Sequence, residues 1–258
     1  MMLKKPKNVS HFTINYMLNR LLFISIALLF FSCGNEKVLQ LPEIQNATIT
    51  EILDVSPAYI FYDETKQDSV ELNRKNLIIS TNWLVNVDKR LTLEQALPSI
   101  IKLQEKKRNA TMHKNEKARN YYTCNDTSIK NLGFIDFTDI VYVIKKGENH
   151  STKNLKPINE KEFKTEHVPN NGIYEHVHQI VDIYFDKNHI ISSNKALLNE
   201  GNLPKYLRNL ALTGNGYFID LKVNFSKNLT FQEYITFKII ISTLESETIS
   251  ISNNEFIY

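Results

Sequence analysis

Apolar and polar positions divide the chain into stretches of different kinds. Leu21–Phe31 is an almost unbroken apolar run, preceded by Lys4, Lys5, Lys7 and Arg20 and by no acidic residue. A basic segment, an apolar stretch and then a small residue is the pattern of a secretory signal, and the run is too short for the roughly 20 residues that cross a bilayer. Residues 1–32 therefore read as a signal peptide, although Met17-Leu18-Asn19-Arg20 would open a complete signal alone. Residues 33–49 read as a tether broken by Pro42, and 50–146 and 173–258 as two folded units. Between these units, 147–172 is polar, contains Pro157 and Pro169 and ends in Asn170-Asn171-Gly172, which is linker composition.

The second unit has the clearer rhythm. Ile180–Asp186 is strand-like, Lys187-Asn188 makes a turn, and His189–Ser192 returns. Asn202 caps a helix with Pro204 in its first turn, and Leu203, Tyr206, Leu207 and Leu210 form its apolar stripe. Gly214 and Gly216 end that helix, and Tyr217–Val223 is the next strand. Thr230-Phe-Gln-Glu233 has capping-box spacing and opens a helix over Phe231–Leu244, before a closing strand at Thr248–Ser252. In the first unit, strands are expected near Asn120–Cys124 and Asp139–Ile144, with a charged segment, Lys106–Arg119, before them.

The units look like copies. A shift of 106 residues pairs 76–103 with 182–209, matching Asn82/Asn188, Lys89/Lys195, Leu91/Leu197, Glu94/Glu200, Leu97/Leu203 and Pro98/Pro204. This register predicts a strand–turn–strand hairpin over 76–87, and it sets Trp83 against His189. The fold class that follows is α+β, present as two similar tandem units.

Charge changes the picture once the signal is set aside. The chain has 31 basic and 28 acidic residues, a net of +3, and loss of the four early cations leaves about −1. The basic balance thus belongs to the targeting segment, and an electropositive footprint for nucleic acid is not supported. Of the two cysteines, Cys124 has no cationic neighbour to activate it and Cys33 stands at the end of the apolar run.

Leu29-Phe30-Phe31-Ser32-Cys33 resembles a bacterial lipobox, which implies lipid (palmitate-type) attachment at Cys33. Gly34, rather than aspartate, follows it, which favours the outer membrane, with the chain facing the periplasm. The order of elements, with Leu97-Pro98-x-Ile100-Ile101 and Leu203-Pro204-x-Tyr206-Leu207, resembles the periplasmic domain of the ExbD/TolR family of envelope energy transducers. That resemblance implies a small mixed sheet with two helices on one face in each unit, a homodimer, and contact with peptidoglycan or with the TonB box of a partner protein. The family's membrane helix carries a proton-path aspartate, whereas the apolar run here has no carboxylate, so energy transduction is not implied.

Candidate chemistry is sparse. His176 and His178 would share a strand face, with Glu175 and Asp182 near, but no third ligand stands at a metal-site spacing. Asp54, Asp63, Glu64 and Asp68 form an acidic patch that either does acid–base work or is merely solvated. Tyr59–Tyr62, Tyr121-Tyr122, Phe256 and Tyr258 offer either a sugar- or peptide-binding face or strand packing. There is no Gly-x-Ser-x-Gly, His-Glu-x-x-His or phosphate-cradling glycine loop, and no cofactor is implied. The sequence thus points to a non-enzymatic envelope lipoprotein that binds an envelope protein or peptidoglycan. The alternative is a periplasmic hydrolase acting on envelope polymers through the acidic patch or the His176/His178 pair.

Lipid attachment is directly testable. Cys33→Ser is expected to abolish incorporation of labelled palmitate and to release the chain from the membrane fraction; undiminished labelling removes Cys33 as the site.

Overall fold

Residues 37–147, 150–159, 161, 178–213 and 218–258 are described by a computed structural model, with the side chains of 212 and 213 excepted. The first sheet contains β1 (Glu43–Ile44), β2 (Val55–Tyr62), β3 (Val70–Asn73), β4 (Asn82–Val87), β5 (Asn120–Asp126) and β6 (Asn131–Asp136). Its order is β1-β5-β4-β2-β3, with β6 also along β5. The second contains β7 (Val141–Ile144), β8 (Lys156–Pro157), β9 (His178–Asp186), β10 (Ile190–Ser193), β11 (Ala196–Leu198), β12 (Phe218–Phe225) and β13 (Ile249–Ile257). Its order is β7-β13-β12-β9-β10-β11-β8. The helices are α1 (Leu93–Arg108), α2 (Leu203–Thr213) and α3 (Phe231–Ser242). Two mixed sheets with helices between them are the expected α+β class.

Each half follows one plan. An antiparallel hairpin (β2/β3 or β9/β10) is followed by a strand parallel to its first arm (β4 or β12). A helix (α1 or α3) then crosses to another parallel strand (β5 or β13). The second half inserts α2 before β12, so it has two helices and the first half has one.

This plan moves the repeat to a different register. Thr92 and Thr230 are the matching N-caps, and aligning them pairs Val85/Val223, Asn86/Asn224, Lys89/Lys227, Leu91/Leu229 and Thr92/Thr230 as identities. Asn86 and Asn224 do the same work, their side-chain amides donating to Ala58 O at 3.0 Å and Ile183 O at 3.3 Å on the neighbouring strand. The 106-residue register fails because it equates strands of opposite sense: β4 runs parallel to β2, whereas β10 returns antiparallel along β9. No strand forms at 76–80, where Ile78 is 57% exposed; the first hairpin lies earlier, at β2/β3. Trp83 is buried beneath α1 and has no structural tie to the hairpin turn at His189.

Other boundaries shift too. The expected tether 33–49 ends at Val38, because Leu39–Tyr258 forms one unit and β1 already pairs with β5. β7, placed by sequence in the first unit, is the edge of the second sheet. Part of the expected linker, 150–159, belongs to the body, since β8 pairs with β11 and Ile158 N–H donates to Leu197 O at 3.1 Å. Pro98 lies well inside α1 rather than near its start. It sits on the exposed face, where the carbonyl it leaves without a donor meets water. In the second half the β9–β10 turn, the α2 stripe and α3 match expectation; Gly214 and Gly216 lie outside the described residues.

The halves meet helix-inward. Tyr122 of β5 lies flat on Phe137 (centroids 3.8 Å apart) and meets Phe231 and Tyr234 of α3 edge-on at 5.1 and 6.3 Å. On the other side of α3, Phe225 lies 5.1 Å from Tyr234, and Phe185 4.8 Å from Phe237. Thus α3 is shared by the inner faces of both sheets, and one core runs through them.

The seam is reciprocal. Leu93 and Glu94 N–H, at the start of α1, donate to Leu229 O and Lys227 O at 2.9 Å each. Phe231 and Gln232 N–H, at the start of α3, donate to Leu91 O and Lys89 O at 2.7 and 3.2 Å. Thr92 and Thr230 bridge each other and cap their own helices with full capping boxes. Thr92→Ala and Thr230→Ala are each expected to cost about 1 kcal/mol in a denaturant titration. The double variant should fall short of the sum by about 0.5 kcal/mol or more, because each loop serves the other's helix. Strict additivity would mean that the caps act independently.

Candidate functional site

A cavity of ≈ 370 Å³ lies between the halves. One wall is a strap, Leu39–Ile49, that lies in the body by virtue of polar contacts along its length. Lys89 N–H donates to Gln40 O at 2.8 Å, and Asn125 N–H to Pro42 O at 2.7 Å. The Gln232 side chain forks onto Glu43, accepting from its N–H at 2.8 Å and donating to its carbonyl at 2.9 Å. Ala47 N–H donates to Asp126 at 2.6 Å. The Ser128 side chain and this Ala47 N–H hold the Asp126 carboxyl down to about 2. Gly133 permits the close approach: a Cβ there would lie 2.5 Å from Ala47 Cβ and 2.8 Å from Ile44 Cδ1.

Ile44, Ile49, Phe134, Ile239 and Ile251 supply much of the apolar lining, and the floor holds Lys238 and Glu255. Glu255 is 1% exposed, is ion-paired to Lys238, and accepts from Tyr234 OH at 2.7 Å. Tyr142 OH lies 3.2 Å from Tyr234 OH and is also hydrogen-bonded to Tyr122 OH. Each phenol has a single proton, so the direction of the chain is settled. Tyr234 donates to the carboxylate, Tyr142 to Tyr234, and Tyr122 to Tyr142. Burial, and then the Glu255 charge, pushes the Tyr234 and Tyr142 phenols well up; burial with the Tyr142 contact does the same for Tyr122. The network is therefore neutral except for one carboxylate and the ammonium that balances it.

This site is suited to binding. Apolar walls with a few placed polar groups are the usual make-up of a ligand cavity. A roomier hollow, of ≈ 580 Å³ by Asp68 and Lys102, is lined largely by polar surface residues such as Gln67, Glu94 and Gln95.

The residues singled out from sequence lie elsewhere. His176 lies outside the described residues. His178 Nδ1 lies 3.0 Å from Asp220, which also accepts from Ser250 Oγ at 2.6 Å. Asp220 stands between the other two, so Ser250 has no imidazole to take its proton, and the hydrogen bonds from Ser250 and His178 make the carboxylate a weaker base. No metal-holding group of His, Cys, Asp and Glu occurs among the described residues. In the acidic patch, Asp63 is buried and accepts from the Thr65 backbone and hydroxyl at 3.0 and 2.6 Å, whereas Glu64 and Asp68 are exposed and Asp54 belongs to the turn before β2. Cys124 is buried, and burial pushes its thiol up to about 12.

The aromatic clusters divide between packing and surface. Tyr122 is core, while Tyr59 and Phe61 stack at 5.9 Å on the outer face of the first sheet. On the second sheet Phe256 is flanked by Lys145 and Lys222, and His150 stacks on Tyr184 at 3.7 Å beside Tyr258. A second buried cation, Lys107, donates to Thr81 O, Arg119 O and Asn120 Oδ1 at 3.1, 2.8 and 3.1 Å. Burial pushes it down to about 8, and its role is to tie α1 to the ends of β4 and β5.

Sequence reading missed Lys238 and Glu255. The available signal was that Lys238 is the only charge in α3 beyond its first turn, and Glu255 the only charge in β13. Removing one partner leaves the other charge buried, so Glu255→Leu is expected to cost about 3–5 kcal/mol in a denaturant titration. Lys238→Met together with Glu255→Leu should recover much of that loss. A double variant as unstable as the single would show that the tyrosines, not the ion pair, require the carboxylate.

Neither a scan against family models nor comparisons with curated proteins and with solved structures give a match.

Proposed function

We propose that the chain is a non-enzymatic, lipid-anchored binding module of the bacterial cell envelope, held at Cys33 and contacting a partner protein or peptidoglycan. The observation that carries this reading is the groove formed where both halves meet the strap. The strap follows the proposed attachment site closely: six residue steps separate Cys33 from Leu39, a reach of about 20 Å. A lipid at Cys33 would hold the body, and the groove beside its strap, close to a membrane surface. Among the described residues no helix is long and apolar enough to cross a membrane. The ExbD/TolR resemblance adds the expectation of envelope partners, in a form tethered by lipid rather than by a transducing helix.

Affinity purification of the tagged full chain from solubilised envelopes tests this. It should recover a specific protein or muropeptides, and Ser242→Trp, which fills the rim from an exposed position, should lose that partner. Equal recovery by both forms would remove the groove from the binding reading.

A further inference from the structure

Resting on that binding reading, we infer that the groove takes a short apolar peptide segment of a partner protein that carries a basic residue beside its apolar core. The inference combines the chemistry of the floor with that of the rim. At the floor, Lys238 commits one N–H to Glu255 and its side chain remains partly accessible at 13%. The ammonium has three donors, so it has N–H groups for a ligand acceptor, while its charge is already balanced by the carboxylate beside it. Such a group favours a neutral acceptor, such as a peptide carbonyl, over a carboxylate.

The rim enforces the same choice. The lining carries three carboxylates, Asp136, Glu245 and Glu255, against the single cation Lys238. Glu255 is balanced by Lys238, and Asp136 is tied to Arg119. The charge a ligand meets at the edge is therefore Glu245, which is exposed and adjoins Glu247 at the neighbouring hollow. A fatty acid or another anionic amphiphile would bring a like charge to this edge. A lysine or arginine next to the apolar core would meet an opposite one. The walls are isoleucine-rich, and the volume of ≈ 370 Å³ suits a few aliphatic side chains.

The experiment uses the full chain in detergent micelles and fluorescence anisotropy. The probes are a labelled peptide of about six residues with an Ile/Val core and lysine at each end, its glutamate-ended twin, and a fluorescent fatty acid. The lysine-ended peptide should bind about tenfold more tightly than its twin, a preference that salt weakens. Glu245→Lys should reverse the preference, and Ser242→Trp should abolish binding of the lysine-ended peptide. Both substitutions are at exposed positions, so folding is not at stake. Equal affinity for the two peptides, tighter binding of the fatty acid, displacement of the peptide by a muropeptide digest, or no binding at about 1 mM would each overturn the inference. A partner lost on Ser242→Trp in the envelope purification, with no peptide preference here, would sink the ligand class and leave the binding reading standing. Peptide preference without an envelope partner would do the reverse.

Discussion

The fold depends on how two helix N-termini are satisfied. The first N–H groups of a helix have no partner within it, and leaving such a donor buried and unmade costs about 1–3 kcal/mol. In α1 and α3 the third of these donors is met by the helix's own threonine cap, and the first two by carbonyls of the opposite loop. Four donors thus depend on the halves staying together, over Leu91 and Leu229, which are fully buried. Hydrophobic contact would hold two sheets and their helices together over a range of angles. The reciprocal hydrogen bonds select one.

That geometry has consequences at a distance from the seam. Because α3 is shared by both inner faces, the Tyr122 hydroxyl of the first sheet reaches Tyr142 and, through it, Tyr234 of the second half. Because the seam fixes the first turn of α3, Gln232 stands where its amide satisfies both backbone groups of Glu43. This fork makes the strap part of the second half, although the strap's strand pairs with the first sheet. Gly133 then lets Ala47 and Ile44 lie against β6 where any side chain would displace them. The groove wall is thus set by the same contacts that join the halves.

Much of the second half was legible, because its signals are local. A capping box, an alternating strand and an apolar stripe at helical spacing each occupy a dozen residues or fewer. The repeat was visible as a repeat but not in its register. Matching Leu97-Pro98 with Leu203-Pro204 rewards a shared dipeptide, yet one lies within α1 and the other at the start of α2. The pairs that do share a role, from Val85/Val223 to Thr92/Thr230, are few, and what unites them is a parallel strand feeding a capped helix. Strand sense is not written in local periodicity; it is decided by which strands become neighbours. The boundaries failed for the same reason, since β7 and β8 are short and take their identity from the edges they join.

The groove chemistry follows from satisfying one buried proton after another. Once Tyr122 is placed in the core, its hydroxyl needs an acceptor, and Tyr142 supplies one but then needs its own. Tyr234 passes the same demand on, so the chain must end on a group that accepts without donating, and a carboxylate is such a group. A carboxylate 1% exposed is costly unless a cation balances it, and a lysine one turn beyond Tyr234 on the same helix face is placed to do so. A buried ion pair is no better for stability than well-packed apolar residues, so stability alone does not explain its retention. Its position is more informative. The ammonium is the first member of the chain with N–H groups to spare, and together with Glu255 it borders the groove. A hydrogen-bonding demand that begins in the core of one half is thereby delivered, as available donors, to a cavity that both halves and the strap build together.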